Sequence, residues 1–166
     1  MTAQQIDTQI YNTAKKAGFS DALSRLIVAQ ARHETGNYSS NVFRTCKNLF
    51  GYKFVNGKWQ ASSCTSAPEG GRYAKYNSIG DSTNELIDWL RRREREGKID
   101  TGAISTSQQY AEALKKSNYY TDSVRNYQRG LDSGLKNLKI VAGAGLGLVL
   151  LAAGIYFYAR SRKRNK

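Results

Sequence analysis

The ten residues Gln30-Ala31-Arg32-His33-Glu34-Thr35-Gly36-Asn37-Tyr38-Ser39 contain the side chain best placed to do chemistry. Glu34 falls at the end of an expected helix, and Gly36 just beyond it reads as the C-terminal stop. A carboxyl that holds its proton near neutral pH can pass it to the leaving oxygen of a glycosidic bond. Two features favour the protonated form. Leu23, Ile27, Gln30 and Glu34 recur at spacings of 4, 3 and 4, so the glutamate shares the core-facing stripe, where loss of water disfavours charge. The negative end of the helix dipole adds to this in the last turn. Arg32 and His33 oppose both if they approach. The plainer reading is a helix-end glutamate in water.

The elements that must position Glu34 can be read along the chain. Ile6, Ile10 and Ala14 predict a first helix over roughly 3–17, ended by Gly18. Ser20 caps a second, which runs to about Thr35. Leu49 to Val55, then Asn56-Gly57, then Lys58 to Ser62 read as a β-hairpin around a tight primed turn. Pro68 and Gly70-Gly71 mark a loop, and Arg72 to Tyr76 a returning extended piece. Ser82-Thr83-Asn84-Glu85 has the capping-box pattern of a helix ending at Glu96, before Gly97. Its cationic tail, residues 91–96, reads as a solvated face. A helix opening near Ser105 runs to about Lys116. Asp122 caps a last one carrying Val124, Tyr127, Leu131, Leu135 and Leu138, expected to run on into the uncharged segment over 140–159.

Composition divides the 166 residues into a polar part, an uncharged run over 140–159 and a basic tail over 160–166. The formal net charge is +13, of which five charges sit in the tail. A basic surface suits an anionic partner such as cell-wall glycan, nucleic acid or acidic lipid. One histidine and no C-x-x-C argue against zinc, and neither a metal nor a cofactor is expected. Cys46 and Cys64 lie just beyond the two expected hairpin arms. A disulfide between them and a pair of free thiols are both open.

The order of the motifs carries a resemblance. Q-A-R-H-E-T-G-N-Y-S, then N-L-F-G-Y-K over 48–53, then Trp59, then Y-A-K-Y-N-S over 73–78, then A-L-K-K-S-N-Y-Y-T-D over 113–122, resembles glycoside hydrolase family 73, over roughly residues 20–127. The resemblance implies a lysozyme-like α+β domain, mainly helical with a small hairpin. It also implies hydrolysis of the β-1,4 bond between N-acetylglucosamine and N-acetylmuramic acid in peptidoglycan glycan strands. Glu34 takes the general-acid position. Tyr120 matches the family's active-site tyrosine, with Tyr119 as the adjacent alternative. Asn48, Phe50 and Gly51 would line the base of the groove and Lys53 would start the hairpin. Gln30, Trp59, Tyr76 and Tyr119 complete the expected substrate-contacting set. Glu69 is the best candidate for a second carboxylate, with a turn-rim charge as its plainer reading. The chain departs from the family in reading E-T-G-N-Y for E-T-G-W-G and in its short hairpin. Alternatives on the same fold are a lytic transglycosylase, a muramidase or a non-catalytic wall-binding virion protein. A nucleic-acid-binding membrane protein rests on charge alone.

Ile140 to Ala159 would span about 30 Å as a helix, the thickness of a bilayer core. Tyr156 and Tyr158 sit where aromatic residues favour the interface. The five basic residues after the run outweigh Lys136 and Lys139 before it, so the positive-inside rule puts the N-terminal domain outside and the C-terminus inside. Gly143 and Gly147 form a G-x-x-x-G pair that permits self-association. The basic tail can meet acidic lipid or nucleic acid. The expected organisation is a catalytic domain over 1–135, a linker and single transmembrane helix over 136–159, and a tail over 160–166. No cleavable signal peptide opens the chain, and a short lytic enzyme with its own anchor fits a bacteriophage, including one whose particle contains a membrane.

Overall fold

The computed structural model describes residues 1–66, 71–136 and 138–140. Glu69 and the stretch after Ile140, with Gly143, Gly147 and the basic tail, lie outside the described residues. The elements are α1 (Ala3–Lys16), α2 (Asp21–Glu34), α3 (Asn41–Cys46), β1 (Ser62–Ser66), β2 (Gly71–Lys75), α4 (Ile79–Arg95), α5 (Ser107–Lys116) and α6 (Val124–Leu135). Among the described residues no helix is long and apolar enough to cross a membrane.

Helix α2 is the centre of the domain and packs against α1, α5 and α6, while α1 also lies on α4. The expected stripe is real as far as it goes, with Leu23, Ile27 and Gln30 fully buried. Leu23 and Ile27 meet Ile10, Leu86, Leu90, Leu114 and Leu131 in one core. Burying such side chains is the main force that holds the helices together, at about 1.5–3 kcal/mol each. Local chemistry sets the helix starts. The hydroxyls of Thr2, Ser20, Ser40, Ser78, Thr106 and Ser123 each accept from a backbone N–H of their first turn.

Several boundaries differ from the sequence expectation. α4 begins at Ile79 because Ser78 is its cap; Ser82 is buried and accepts from the Leu49 amide at 3.0 Å instead. α6 is capped by Ser123, with Asp122 supporting that residue's amide. It stops at Leu135, where Lys136 turns extended, rather than running on through Leu138. α3 had no signal in the apolar periodicity, since only Cys46 in it is buried. Arg91 is not part of a solvated face. Its guanidinium donates to Ala17 O at 2.8 Å and lies over Phe19.

The hairpin is the main correction. β1 and β2 pair antiparallel with Cys64 opposite Tyr73. Residues 52–54 lie along the other edge of β2, with Ala74 N donating to Tyr52 O and Phe54 N to Arg72 O, both at 2.9 Å. The expected arms around Asn56-Gly57 therefore do not pair with each other. Asn56 does take a left-handed turn, at φ 57. The Gln60 side chain then occupies the position a second strand would fill, accepting from Val55 N and Gly57 N and donating to Lys53 O. Cys46 and Cys64 form a disulfide that joins the end of α3 to β1.

Candidate active site

Glu34 is the last residue of α2, and three consecutive left-handed residues, Gly36, Asn37 and Tyr38, turn the chain away behind it. A left-handed backbone at Tyr38 is unfavourable for a bulky side chain. Its hydroxyl compensates by donating to the fully buried Asp7 at 2.6 Å. Arg32 donates to the same carboxylate at 3.0 Å and to Gly134 O and Lys136 O at 3.0 and 3.2 Å. Arg32 is thus committed to tying α1, α2 and the end of α6 together, on the side of α2 away from Glu34.

The group that reaches Glu34 is Tyr127. Its hydroxyl donates to Glu34 Oε1 at 2.6 Å. The position follows from how closely α6 approaches α2. A Cβ added at Gly134 would stand 2.5 Å from Ala29 O, and one at Gly130 2.4 Å from the His33 ring. Only glycine lets the two backbones come this close, and Tyr127 sits one turn before Gly130 on the same face. The His33 ring meets Tyr127 edge-on at 5.1 Å, and Tyr120 stacks flat on the Tyr127 ring at 3.9 Å.

Burial is the leading cause that pushes the Glu34 carboxyl above its ordinary value; the Tyr127 hydrogen bond and charge on His33 pull it back. Glu34 nevertheless keeps solvent access. The two facts fit a carboxyl crowded by protein on most sides and open to solvent on one. Its field is felt by the phenols of Tyr52, Tyr110, Tyr119 and Tyr127, all held protonated chiefly by burial. Among the described residues no cluster of three His, Cys, Asp or Glu could hold a metal ion.

Several expected site residues have other positions. Tyr120 does not reach Glu34; its hydroxyl donates to Ala111 O at 2.8 Å, and its ring supports Tyr127. Gln30 is fully buried and accepts from the Tyr110 hydroxyl at 2.6 Å, so it lies beneath the site rather than in a groove. Asn48 is also buried. Its amide donates to Tyr52 O and Ala74 O and accepts from Phe50 N and Tyr52 N, which folds the 48–52 loop onto β2. Phe50 is buried, and its carbonyl receives the Tyr119 hydroxyl at 3.2 Å; Gly51 takes the left-handed conformation that ends the loop. Trp89 and Tyr52 brace the Tyr119 ring edge-on.

The Tyr76 hydroxyl is buried on Glu85, whose other oxygen accepts from Gln60 at 2.7 Å. Lys53 is exposed with its ammonium 3.5 Å over the Tyr73 ring, bridging to β2 rather than opening a hairpin. Trp59 is half-buried and donates to Asp88 on α4 at 2.7 Å. Of the expected set, the structure joins Glu34 with the supporting residues Gln30 and Tyr120. The residue missed was Tyr127, which reads as one more apolar position on the stripe of α6. The usable signal was Gly130 and Gly134 one turn apart in that helix, which marks a close helix contact beside it.

The sequence model of the glucosaminidase family, described as mannosyl-glycoprotein endo-β-N-acetylglucosaminidase, matches residues 9–139. The chain belongs to the glucosaminidase family. This is the family 73 resemblance seen in the motifs. Among solved structures, a peptidoglycan hydrolase from Sphingomonas sp. A1 is 22% identical with a TM-score of 0.61, covering 86% of this chain and 99% of that one. The catalytic domain of the autolysin Auto from Listeria monocytogenes is 24% identical with a TM-score of 0.57, covering 83% and 85%. The glycoside hydrolase domain of Salmonella typhimurium FlgJ is 20% identical with a TM-score of 0.57, covering both chains in full. At these identities the likeness establishes the fold, a mainly helical lysozyme-like domain with one small sheet. No match was found among curated protein sequences.

Proposed function

We propose that this glucosaminidase-family protein hydrolyses the β-1,4 bonds of peptidoglycan as an N-acetylglucosaminidase, with Glu34 as general acid. The observation that carries the reading is the partly desolvated Glu34 at the end of α2 with the Tyr127 hydroxyl 2.6 Å from Oε1. Glu34 gives its proton to the glycosidic oxygen as the carbon–oxygen bond breaks. The phenol then stabilises the carboxylate left behind, and water adds to the anomeric carbon. Glu69 remains the proposed second carboxylate, with the substrate's own acetamido group able to take that part. Family membership and the peptidoglycan hydrolases of like fold support the substrate class.

The test is digestion of purified sacculi. The wild-type protein should clear them, and Glu34→Gln should be slower by ~10²–10⁴-fold, the usual loss with a general acid. A Gln variant of normal rate would overturn the mechanism. Mass spectrometry of the fragments decides the bond: reducing-end N-acetylglucosamine supports the proposal, whereas reducing-end N-acetylmuramic acid or an anhydro sugar replaces it with a muramidase or a lytic transglycosylase.

The same proposal places the enzyme on the outer side of a membrane, anchored through residues 140–159 with the basic tail inside. The charge asymmetry around that run supports it, as does a disulfide, which persists in oxidising compartments. Such an anchored enzyme would serve a bacteriophage that opens the wall during entry or exit. Protease added to intact cells or particles should remove the domain and spare the anchor; full protection would sink this placement.

A further inference from the structure

Charge is divided unevenly along the folded domain. Residues 35–80 hold six cations, Arg44, Lys47, Lys53, Lys58, Arg72 and Lys75, against one acid, Glu69. Residues 81–135 hold nine of each sign, and residues 1–34 hold four cations and three acids. Nearly all of the excess therefore belongs to the lobe made of α3, the loop over 48–60 and the sheet. All six of its cations are exposed. In the helical part several such groups are paired: Arg25 with Asp21, Arg32 with Asp7, Arg91 with Glu94, and Arg93 and Lys98 with Glu96. Of the six, only Lys58 has a carboxylate within reach among the described residues, Asp88 at 4.0 Å.

The sheet holds part of this charge in place. Lys53 lies opposite Tyr73, and Lys75 is two residues on in β2, so these side chains leave the same face. The Lys53 ammonium rests 3.5 Å over the Tyr73 ring, and a Cβ at Gly71 would stand 2.7 Å from it. Arg72 leaves the opposite face and lies over Phe54 at 5.3 Å, while Lys58 lies over Trp59 at 4.4 Å. An aromatic face steadies a cation without neutralising it. The disulfide ties α3, which carries Arg44 and ends at Lys47, to β1.

We propose that this lobe is a docking surface for the peptide stems of peptidoglycan, its cations meeting the stems' free carboxylates. The inference rests on the peptidoglycan reading. N-acetylated sugars are neutral, so the negative charge of the polymer lies in its stems. Stems leave a glycan strand in several directions, which suits cations on both faces of a sheet better than a single pocket. An acidic bilayer is a poorer match. A peripheral lipid-binding surface buries apolar side chains, and Val55 is the one large apolar side chain exposed in this lobe among the described residues. Opposite charge gathers the polymer at the enzyme and speeds encounter, and salt weakens the effect by screening.

The test is co-sedimentation of the full chain, as Glu34→Gln in a neutral detergent, with sacculi freed of accessory polymers. The same sacculi are used before and after chemical amidation of their stem carboxylates. Amidation should weaken binding by roughly tenfold, the sum of a few exposed ion pairs worth a fewfold each. Adding Arg44→Gln/Arg72→Gln/Lys75→Gln should weaken binding to untreated sacculi by a similar factor, leave the melting transition unchanged and make no further difference on amidated sacculi. Added salt should weaken the parent's binding more than the variant's. Equal binding to both kinds of sacculi, or the same loss in the variant on both, overturns the proposal. So does a variant that holds sacculi normally but loses affinity for duplex DNA or phosphatidylglycerol vesicles. The amidation arm leaves the protein untouched, so it decides the matter if the variant does not fold. Turnover is not read, so a wild-type protein that fails to digest sacculi is a separate result that counts against the glycosidase reading.

Discussion

Tyr127→Phe is the sharpest perturbation of the site. It keeps the ring, and so the stack on Tyr120 and the edge contact with His33, while removing the hydroxyl that donates to Glu34. In the resting enzyme that bond joins a phenol to a carboxyl held above its ordinary value by burial. It gains strength as Glu34 releases its proton, because hydrogen bonds to charged groups are worth about 1.5–3 kcal/mol. At about 1.36 kcal/mol per decade, its loss should slow sacculus clearing by roughly 10- to 100-fold. The acid form of Glu34 is present below its pKa and disappears as pH rises through it. Without the phenol the carboxylate is less favoured and that pKa rises, so the alkaline limb should move to higher pH while the optimum rate falls. Turbidity assays on sacculi across a pH series, with melting curves to show that the fold is intact, make the comparison. A folded Tyr127→Phe enzyme with wild-type rate and profile would refute the role given to this tyrosine.

Other outcomes follow from the same geometry. Tyr120→Phe loses only a bond to Ala111 O, so sacculus clearing should stay within about twofold and stability should fall by about 1 kcal/mol, measured by urea unfolding. Gly134→Ala places a Cβ 2.5 Å from Ala29 O and 2.9 Å from its Cα. Overpacking of about 3 kcal/mol against a helix-propensity gain of about 1 should lower the melting temperature by several degrees. Activity should fall with it, since α6 carries Tyr127. Reducing the Cys46–Cys64 bridge, which closes 18 residues, should reduce stability by about 3 kcal/mol on the chain-entropy account, read from the denaturation midpoint with and without reductant.

Much of this was legible from residue order. Glu34 was found because an apolar stripe at helical spacing runs directly into it, and periodicity is a local property. Gly36 was read as the stop because a left-handed position favours glycine. The hairpin was misplaced for a reason equally physical. Asn56-Gly57 is a good turn wherever it occurs, but a turn does not choose its partner strand. Gln60 capped it with a side chain, and β2 took residues 52–54 on one edge and β1 on the other. The motif residues Asn48 and Gln30 looked like substrate ligands because polar side chains in a recognised pattern suggest contact. Both are buried and work through the backbone or through another side chain.

The sequence by itself determined the helix with Glu34 at its end and the family through the order of its motifs, and its charge asymmetry is what the proposed membrane anchor rests on. These depend on spacing along one element or on composition, which the chain carries openly. Which tyrosine is bonded to Glu34 was decided only by tertiary structure. Tyr127 lies 93 positions from Glu34, and it arrives there because Gly130 and Gly134 let α6 settle against the α2 backbone. A close approach between two helices depends on both surfaces at once.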